Sequence, residues 1–202
     1  MPKYRIHADS DDATRERILK AAILRFSTHS YEETGLRDLA ADVGVDMAYV
    51  HRCFGSKEKL FYEAVKAVFQ TDCVFIGDTK DLPSSLAKDI LVERGDSEIR
   101  PFDIIVRSFS SPDASRVLRQ AMADDFIAPL RESHAHISEK RAALIGAFLA
   151  GVGIFRDVVR AAPLQGMEDG ELERLITQVI ADLLFGELHD ERTASAQREQ
   201  WS

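Results

Sequence analysis

The sequence predicts an all-α protein, and three features of the chain point to that class. Proline is scarce, at 6 of 202 residues, and the strong helix formers Ala and Leu are frequent. Apolar residues recur at helical spacing along most of the chain. Gly, Pro, Ser and Asp stand where one such segment ends and the next begins.

The first helix is predicted to begin near Asp12, because Asp is a favourable residue for capping a helix N-terminus. Ile18, Ala22 and Phe26 follow at positions i, i+4 and i+8 and form one apolar stripe. The polar segment 30–35 then ends the helix. We therefore expect this helix to pack through a single face.

Two shorter helices are predicted next, with Gly44 between them. The second spans 36–43, and Gly44 is the residue type that most often follows a helix C-terminus. The third spans 45–54 and turns Val50 and Phe54 inward. Three small helices with a Gly turn before the third are typical of a helix-turn-helix module. A small helical bundle that binds no nucleic acid is an equally good interpretation of this pattern alone.

The later helices are separated by Gly and Pro. A fourth helix is predicted to begin at Ser56 and to extend to about residue 75. Further helices are predicted over 83–94, 101–109, 112–132, 138–162 and 169–185. The longest apolar run, 142–155, has 14 residues, fewer than the roughly 18–20 that a membrane-spanning helix needs. We expect this run to be a core or interface helix that is buried on every side.

Charge is distributed unevenly along the chain. Residues 1–70 contain 11 basic and 11 acidic side chains, so the whole net charge of −8 lies in residues 71–202. Two segments with different electrostatic roles are the simplest interpretation. The N-terminal sequence has no apolar targeting segment, and Cys53 and Cys73 have no paired spacing. These features favour a reducing, cytoplasmic location without a disulfide framework or a zinc site.

Two stretches, 15–26 (RERILKAAILRF) and 34–61 (TGLRDLAADVGVDMAYVHRCFGSKEKLF), together resemble the TetR family of bacterial transcription regulators. The resemblance implies an all-α homodimer that binds a palindromic operator, usually as a repressor released by a small molecule. It also implies that residues 47–53 face the major groove. Gly35 and Met47 differ from the residues that the family most often has there, so the resemblance implies no particular operator sequence.

With this resemblance, the chain is expected to have four segments. These are a flexible N-terminal tail (1–12), a helix-turn-helix DNA-binding domain (13–60), a helical regulatory and dimerisation domain (61–188) and a flexible C-terminal tail (189–202). The fourth helix is expected to join the two domains.

The candidate DNA-binding residues lie in and around the second and third predicted helices. Arg37 can reach a guanine edge or a phosphate, although a surface ion pair is the simpler alternative. Thr34 and the Gly35 amide stand at a helix N-terminus, where unpaired N–H groups can hold a phosphate. The full set is Thr34, Gly35, Arg37, Met47, Ala48, Tyr49, His51, Arg52 and Lys57.

Two further sets of residues lie in the predicted regulatory domain. Candidates for an apolar ligand cavity with polar anchors are Phe69, Phe102, Ile105, Phe109, Met122, Phe126, Arg107 and Asp125. Candidates for a four-helix interface with a second copy of the chain are Ile145, Phe148, Leu149, Val152, Leu175, Val179 and Leu183. In each case an ordinary intrachain core is the alternative.

The function predicted from these features is a ligand-responsive regulator, most simply a repressor. Its expected partners are double-stranded operator DNA, a second copy of itself and a small apolar or amphipathic effector. No cofactor, metal site or catalytic motif is predicted: G-x-S-x-G, P-loop and H-E-x-x-H patterns are all missing. Two alternatives remain, a DNA-binding helical protein without a small-molecule effector (redox-responsive or architectural) and a helical enzyme.

Overall fold

The computed structural model describes residues 6–69, 75, 78–92, 101–167 and 169–186, and every regular element in these ranges is helical. This confirms the predicted all-α class. The elements are α1 (Ile6–Thr28), α2 (Leu36–Val43), α3 (Met47–Phe54), α4 (Lys57–Phe69), α5 (Leu82–Leu91), α6 (Pro101–Ser108), α7 (Pro112–Ala121), a first π-helical segment (Met122–Ile127), α8 (Ala128–Ser133), α9 (Glu139–Gly153), a second π-helical segment (Ile154–Val158), α10 (Ala162–Gln165) and α11 (Asp169–Phe185). None of the described helices is long and apolar enough to cross a membrane.

Helix α1 begins at Ile6 rather than near Asp12, so the predicted start of this helix is wrong by six residues. No Gly or Pro stands between these two positions, and acidic residues are favoured in the first turns of a helix by its dipole. The predicted stripe is confirmed, since Ile18, Ala22 and Phe26 are fully buried.

The turns around α3 follow from local chemistry. Gly44 has φ +75°, a left-handed conformation that costs Gly little, and thus ends α2 as predicted. The Asp46 carboxylate accepts a 2.7 Å hydrogen bond from the Tyr49 amide, so α3 begins at Met47 rather than at residue 45. Ser56 Oγ accepts from the Lys59 amide at 3.2 Å and caps α4.

An aromatic cluster fills the crossing of α1 and α4. The rings of Phe26 and Phe61 are 4.8 Å apart in an edge-to-face arrangement, and Tyr31 lies 5.0 Å from Phe61. Both Phe side chains are fully buried, and burial raises the pKa of the Tyr31 phenol to about 12. Edge-to-face aromatic pairs contribute about 0.5–1.5 kcal/mol beyond the area they bury. The cluster therefore holds α4 firmly against the helix-turn-helix.

The buried apolar side chains of α1 to α4 form a first hydrophobic core, which extends beyond the helix-turn-helix. Ile104 of α6 and Val117 of α7 belong to the same buried cluster as the helix-turn-helix residues. Two polar contacts reinforce the connection: the Arg107 guanidinium donates to the Ser27 carbonyl at 2.7 Å, and the Ser111 hydroxyl donates to the Glu32 carboxylate at 2.5 Å. Helices α6 and α7 are thereby attached to the end of α1 and the turn after it.

A second core joins α5, α8, α9 and α11. Leu86, Leu130, Ile145 and Ile180 are buried together at its centre. Arg141 of α9 adds a polar connection, because its guanidinium donates to the carbonyl oxygens of Leu183, Leu184 and Gly186 at the end of α11. These carbonyls have no partner within the helix, and a cation at a helix C-terminus is favoured by the dipole.

Two predicted helices are less regular than expected. The helix predicted over 112–132 contains the π-helical segment Met122–Ile127, which precedes Pro129, a residue that has no N–H to donate. The helix predicted over 138–162 ends instead at Val158. Arg160 takes a left-handed φ of +53° and the Ala161 amide bonds back to Phe155, while Pro163 opens the short α10.

A single chain does not bury residues 142–155 on every side, so burial of the remaining side depends on the predicted interface with a second copy. Ala142, Ile145 and Leu149 face the second core, but the Leu144 and Phe155 side chains are 48% and 56% exposed. Because apolar residues surround the helix, composition indicated burial without indicating which face one chain covers.

Gly153 brings α6 into contact with α9, and its substitution by Ala is expected to destabilise the fold. A Cβ atom at this position would lie 2.0 Å from Cε2 of the buried Phe102 ring, so the ring must move. Overpacking of this kind costs about 1–3 kcal/mol, which exceeds the roughly 1 kcal/mol that Ala gains over Gly in a helix. We expect Gly153→Ala to lower the melting temperature, followed by circular dichroism, by several degrees.

Gly170→Ala is the matched control, because a Cβ placed on Gly170 in α11 would meet no described atom within 4 Å other than its chain neighbours and the backbone of its own helix. This control should keep or raise the melting temperature. If Gly153→Ala and Gly170→Ala have the same melting temperature, Phe102 does not pack against α9 as described.

Candidate nucleic-acid interface and ligand cavity

Helix α3 has one face in the core and one in solvent. Val50 and Phe54 are buried in the first core, whereas Met47, Ala48, His51 and Arg52 are exposed. The exposed residues stand at i, i+1, i+4 and i+5, which places them on one side of the helix. Four of the predicted groove-facing residues of α3 are thus brought together on one accessible surface.

Tyr49 lies at the border between these two faces. Its hydroxyl donates a 2.7 Å hydrogen bond to the Asp11 carboxylate of α1, and this bond raises the pKa of the Tyr49 phenol. The Arg52 guanidinium lies 4.5 Å from the centre of the Tyr49 ring. Asp11 was missed in the sequence, because 38 residues separate it from Tyr49.

Thr34 and Gly35 do not contribute in the predicted way. The Thr34 side chain is fully buried and its hydroxyl donates to the Ser30 carbonyl at 3.1 Å, so it cannot contact a phosphate. The Gly35 amide donates to the Asp38 carboxylate at 3.2 Å, so the N–H group expected to hold a phosphate already has an anionic partner. Both residues shape the N-terminus of α2.

The basic side chains around α3 differ in accessibility. Arg37 in α2 and Lys59 in α4 are exposed. Lys57 is half-buried, with its ammonium 4.1 Å from the centre of the Tyr31 ring, and burial lowers its pKa. The predicted phosphate contact of Lys57 therefore requires that its side chain leave the aromatic cluster.

A cavity of about 560 Å³ lies between the two cores. Its wall is mostly apolar and is built from α1, α4, α5, α6, α7, the first π-helical segment and α9. Seven of the eight predicted ligand-binding residues line it: Phe69, Phe102, Ile105, Phe109, Met122, Phe126 and Asp125. The volume falls within the range of about 300–1,000 Å³ that is usual for small-molecule sites.

Arg107 is the exception among the predicted lining residues. The Arg107 guanidinium donates a hydrogen bond to the Ser27 carbonyl, and Arg107 does not line the cavity. The prediction missed Leu19, Leu86, Asp89 and Ile90, which do line it. Nothing in the local sequence distinguishes Leu19, Leu86 and Ile90 from ordinary core residues, or Asp89 from an acidic residue on the helix surface.

The first π-helical segment supplies three of the lining side chains. Met122, Asp125 and Phe126 stand at i, i+3 and i+4 and face the cavity together. Gly146 of α9 makes room for two of them, since a Cβ there would lie 2.1 Å from Cε of Met122 and 3.1 Å from Cε1 of Phe126. The small residue thus determines how deep the cavity is at this end.

The polar groups of the wall interact with one another. The Lys66 ammonium lies 3.2 Å from the Asp125 carboxylate. The Tyr62 hydroxyl also bonds to Asp125, and burial together with this hydrogen bond raises the pKa of Tyr62. Glu63 pairs with Arg15 of α1 at 3.6 Å.

The His134 and Arg156 side chains are not among the residues that line the cavity. His134 is buried, and its Nδ1 atom is 2.9 Å from the Thr79 hydroxyl. Arg156 donates to the carbonyl oxygens of Ile90 and Leu91 at the end of α5. In the described part of the chain, no three His, Cys, Asp or Glu side chains are arranged to hold a metal ion.

Cys53 is half-buried and lines a smaller cavity of about 470 Å³ between α1, α3, α4 and α7. Cys73 lies outside the described residues.

Two family profiles match the chain. Residues 18–64 match the profile described as bacterial regulatory proteins, tetR family. Residues 81–184 match the tetracyclin repressor-like C-terminal domain, and this second match covers more than half of the chain. No curated protein matches the sequence.

Solved structures share the fold at low sequence identity. A transcriptional regulator from Rhodococcus sp. RHA1 is 20% identical with a TM-score of 0.58, covering 85% of this chain and 96% of that one. A TetR-family regulator from Streptomyces coelicolor A3 is 23% identical with a TM-score of 0.54, covering 84% and 93%. A putative transcriptional regulator from Saccharomonospora viridis, in complex with choline, is 19% identical with a TM-score of 0.54, covering 84% and 96%.

The buried His134 is expected to make the fold sensitive to mild acid. Burial lowers the pKa of His134 from its ordinary 6.5, the nearby His136 lowers it further, and Asp78 opposes both. The unfolded chain therefore binds a proton on this side chain more readily than the folded chain, and stability is lost as the pH falls below about 6.5. Between pH 7.5 and 5.5, the melting temperature of the wild type should fall further than that of His134→Gln.

His136→Gln is the control for this measurement, since His136 is exposed and burial is the larger cause of the shift. It should keep most of the wild-type pH dependence. An identical pH dependence in His134→Gln and wild type would contradict the assignment.

Proposed function

Because the chain belongs to the TetR family of bacterial transcription regulators, we propose that it is a ligand-responsive repressor that binds a palindromic operator as a homodimer. A small apolar or amphipathic effector would release it from DNA. We place its action in the cytoplasm, where the DNA is. The observation that carries this proposal is that α4 begins two residues after the end of α3 and ends in the wall of the 560 Å³ cavity.

The acidic composition of the chain is compatible with DNA binding. Affinity for DNA depends on the local patch that meets the phosphates rather than on the net charge of −8. Arg37, Arg52 and Lys59 are exposed on α2, α3 and α4, and a dimer doubles this set. Each basic side chain that contacts a phosphate releases bound counterions, so we expect binding to weaken with added salt.

Exposed apolar side chains support a homodimer. Leu144 is exposed on α9, and Phe155 is exposed on the π-helical segment that follows it. On α11, the Leu175 and Val179 side chains are 50% and 39% exposed. Unpaired apolar surface of this kind marks an interaction site. A second copy of the same two helices would complete a four-helix interface.

The membership of this interface differs from the prediction. Leu175 and Val179 are available for a partner, and Phe148, Val152 and Leu183 are half-buried at the edge of the second core. Ile145 and Leu149 are buried inside the single chain and are removed from the set. Leu144 and Phe155 are added, because they share the exposed side of the same helix.

The release mechanism that we propose is mechanical. Lys66 and Phe69 bring the distal half of α4 into the cavity wall, while Leu60 and Phe61 at its proximal half are fully buried in the first core. An effector that moves the distal half would also move α3. The two recognition helices of a dimer must lie about 34–36 Å apart to enter successive major grooves, so a small shift costs affinity. The effector thereby favours one of two existing states.

The choline complex of the Saccharomonospora viridis relative supports a small-molecule site in this fold. Two alternatives from the sequence are weaker. A DNA-binding protein without an effector leaves the cavity without a role, and the TetR family consists of regulators rather than enzymes. We propose no catalytic activity for the chain.

The DNA-binding proposal is tested by footprinting the protein on its own upstream region and on a library of genomic fragments. Arg37→Ala and Tyr49→Ala should each weaken binding by roughly 5- to 150-fold and remove the protected palindrome, because loss of a base contact costs about 1–3 kcal/mol. Lys140→Ala, on exposed α9 surface away from the helix-turn-helix, should bind like wild type. Protection retained in both variants would remove these residues from the interface, and the lack of any protected palindrome would contradict the regulator proposal.

The dimer proposal is tested by light scattering coupled to size exclusion. Leu175→Glu should convert a wild-type dimer to a folded monomer, because it places a charge in the apolar face. Arg174→Glu is the control, since residue 174 lies about 100° around α11 from residue 175 and outside that face. A wild-type monomer at micromolar concentration, or a Leu175→Glu dimer, would rule out this interface.

A further inference from the structure

Helix α9 forms one wall of the 560 Å³ cavity and contributes mostly small residues to it. Gly146, Leu149 and Ala150 line the cavity from this helix and stand at i, i+3 and i+4, on one face. Gly146 is buried and has no side chain with which to fill the space in front of it. The neighbouring elements therefore decide how much of that space stays open to a ligand.

Met122, on the first π-helical segment, fills the space in front of Gly146. A Cβ atom at residue 146 would overlap with Cε, the last atom of the Met122 side chain. Met122 is also a lining residue, so its thioether stands between the cavity and the backbone of α9. A Met side chain is unbranched and has three rotatable bonds, so it adapts to its surroundings more easily than an aromatic ring does.

Two aromatic rings also pack against the glycines of α9, and each is held by a second ring. The Phe126 ring lies 5.4 Å from the Phe75 ring, and the Phe102 ring lies 5.3 Å from the Phe69 ring, both pairs edge to face. Such pairs are favourable beyond the area they bury. Met122 is therefore the side chain on this wall that moves without breaking an aromatic pair.

From this geometry we propose that Met122, packed against Gly146, sets the size limit of the effector. An apolar cavity of about 150 Å³ is enough for one benzene molecule, so the roughly 560 Å³ here takes an apolar body larger than a single ring. The end of that body would lie against Met122. Carbon atoms beyond this limit have to displace Met122 or remain in water. This inference rests on the proposed function only in taking the cavity as the effector site.

The other end of the effector would lie at the opening of the cavity. Phe109 lines the cavity and is 58% exposed, so the wall meets solvent at this side chain. The polar end of an amphipathic molecule stays in water there, while its apolar chain extends inward. The length of chain that one protein accepts then depends on the position of Met122.

The size limit is tested with a series of neutral probes, octaethylene glycol ethers whose alkyl chains have 8, 10, 12, 14 or 16 carbon atoms. Each is titrated into the full-length protein by calorimetry, below the concentration at which it forms micelles. Affinity should rise about fourfold per added methylene group up to a limiting chain length and then stay constant. A rise that continues through the whole series, or no binding by any probe, would overturn the inference.

Two variants should move the limiting length in opposite directions. Met122→Ala vacates the space in front of Gly146, so the limit should increase by two or more carbon atoms and the first probe beyond the wild-type limit should gain roughly tenfold in affinity. Gly146→Ala pushes the Met122 methyl group into the cavity, so the limit should decrease by about two carbon atoms. Probes shorter than both limits should change less than twofold.

The double variant separates this role from a general loss of stability. Without the Met122 methyl group, the Cβ of Ala at position 146 has less to displace, so Met122→Ala with Gly146→Ala should have a limit no shorter than that of wild type. Gly170→Ala, on the exposed surface of α11, is the matched control and should bind the series like wild type. An equal loss of affinity for every probe, or an unchanged limit in the folded variants, would contradict the role of Met122.

Footprinting of the same samples distinguishes this inference from the proposed function. If the inference holds, the probe that reaches the limiting length removes the protection of DNA, and the effective chain length shifts in the two variants. If a palindrome is protected but the limit does not follow Met122 and Gly146, the size assignment is wrong and the regulator remains. Failure to protect any DNA contradicts the proposed function, whatever the probes do.

Discussion

The packing of α1 against α4 is the constraint on which the rest of the structure depends. Phe26 and Phe61 are fully buried at this crossing, and Tyr31 closes it from the following turn. The same core contains Val50 and Phe54, so it sets the position of α3 as well as the root of α4. Close-packed interiors deform little and transmit displacement. A movement of α4 at this point is therefore also a movement of the surface proposed to face DNA.

The cavity lies between the two cores, and its wall contains residues of both. Val65 and Ala121 of its wall belong to the first core, and Leu86 and Leu149 belong to the second. A ligand in the cavity would contact both at once. The second core also carries the exposed apolar face proposed for the dimer, so the ligand site stands between the DNA-facing and the partner-facing parts of each chain. In the proposed dimer, this arrangement would link occupancy of the cavity to the spacing of two α3 helices.

Much of the fold was accessible from the sequence, and the exceptions have physical causes. Gly44 and Ser56 end and begin helices through local conformation and capping, which are visible in a few residues. The end of the helix after α9 was missed because Arg160, rather than a Gly, takes the left-handed conformation. Among the site residues, Arg107 was misplaced because its partner, the Ser27 carbonyl, is 80 positions away. Among the polar groups of the cavity wall, the sequence predicted Asp125 but missed Glu63, Lys66 and Asp89.

By itself, the sequence determined the helical class, most helix boundaries, the inward face of α3 and the family that the helix-turn-helix resembles. These properties depend on periodicity, capping and turn residues, which act over a few positions. Only the tertiary structure decided that Thr34 is buried, that Ile145 faces inward while Leu144 stays exposed, and that Asp89 reaches the cavity. Such outcomes depend on how each helix is rotated against distant neighbours. An apolar run such as 142–155 is compatible with many rotations, and long-range packing selects one of them.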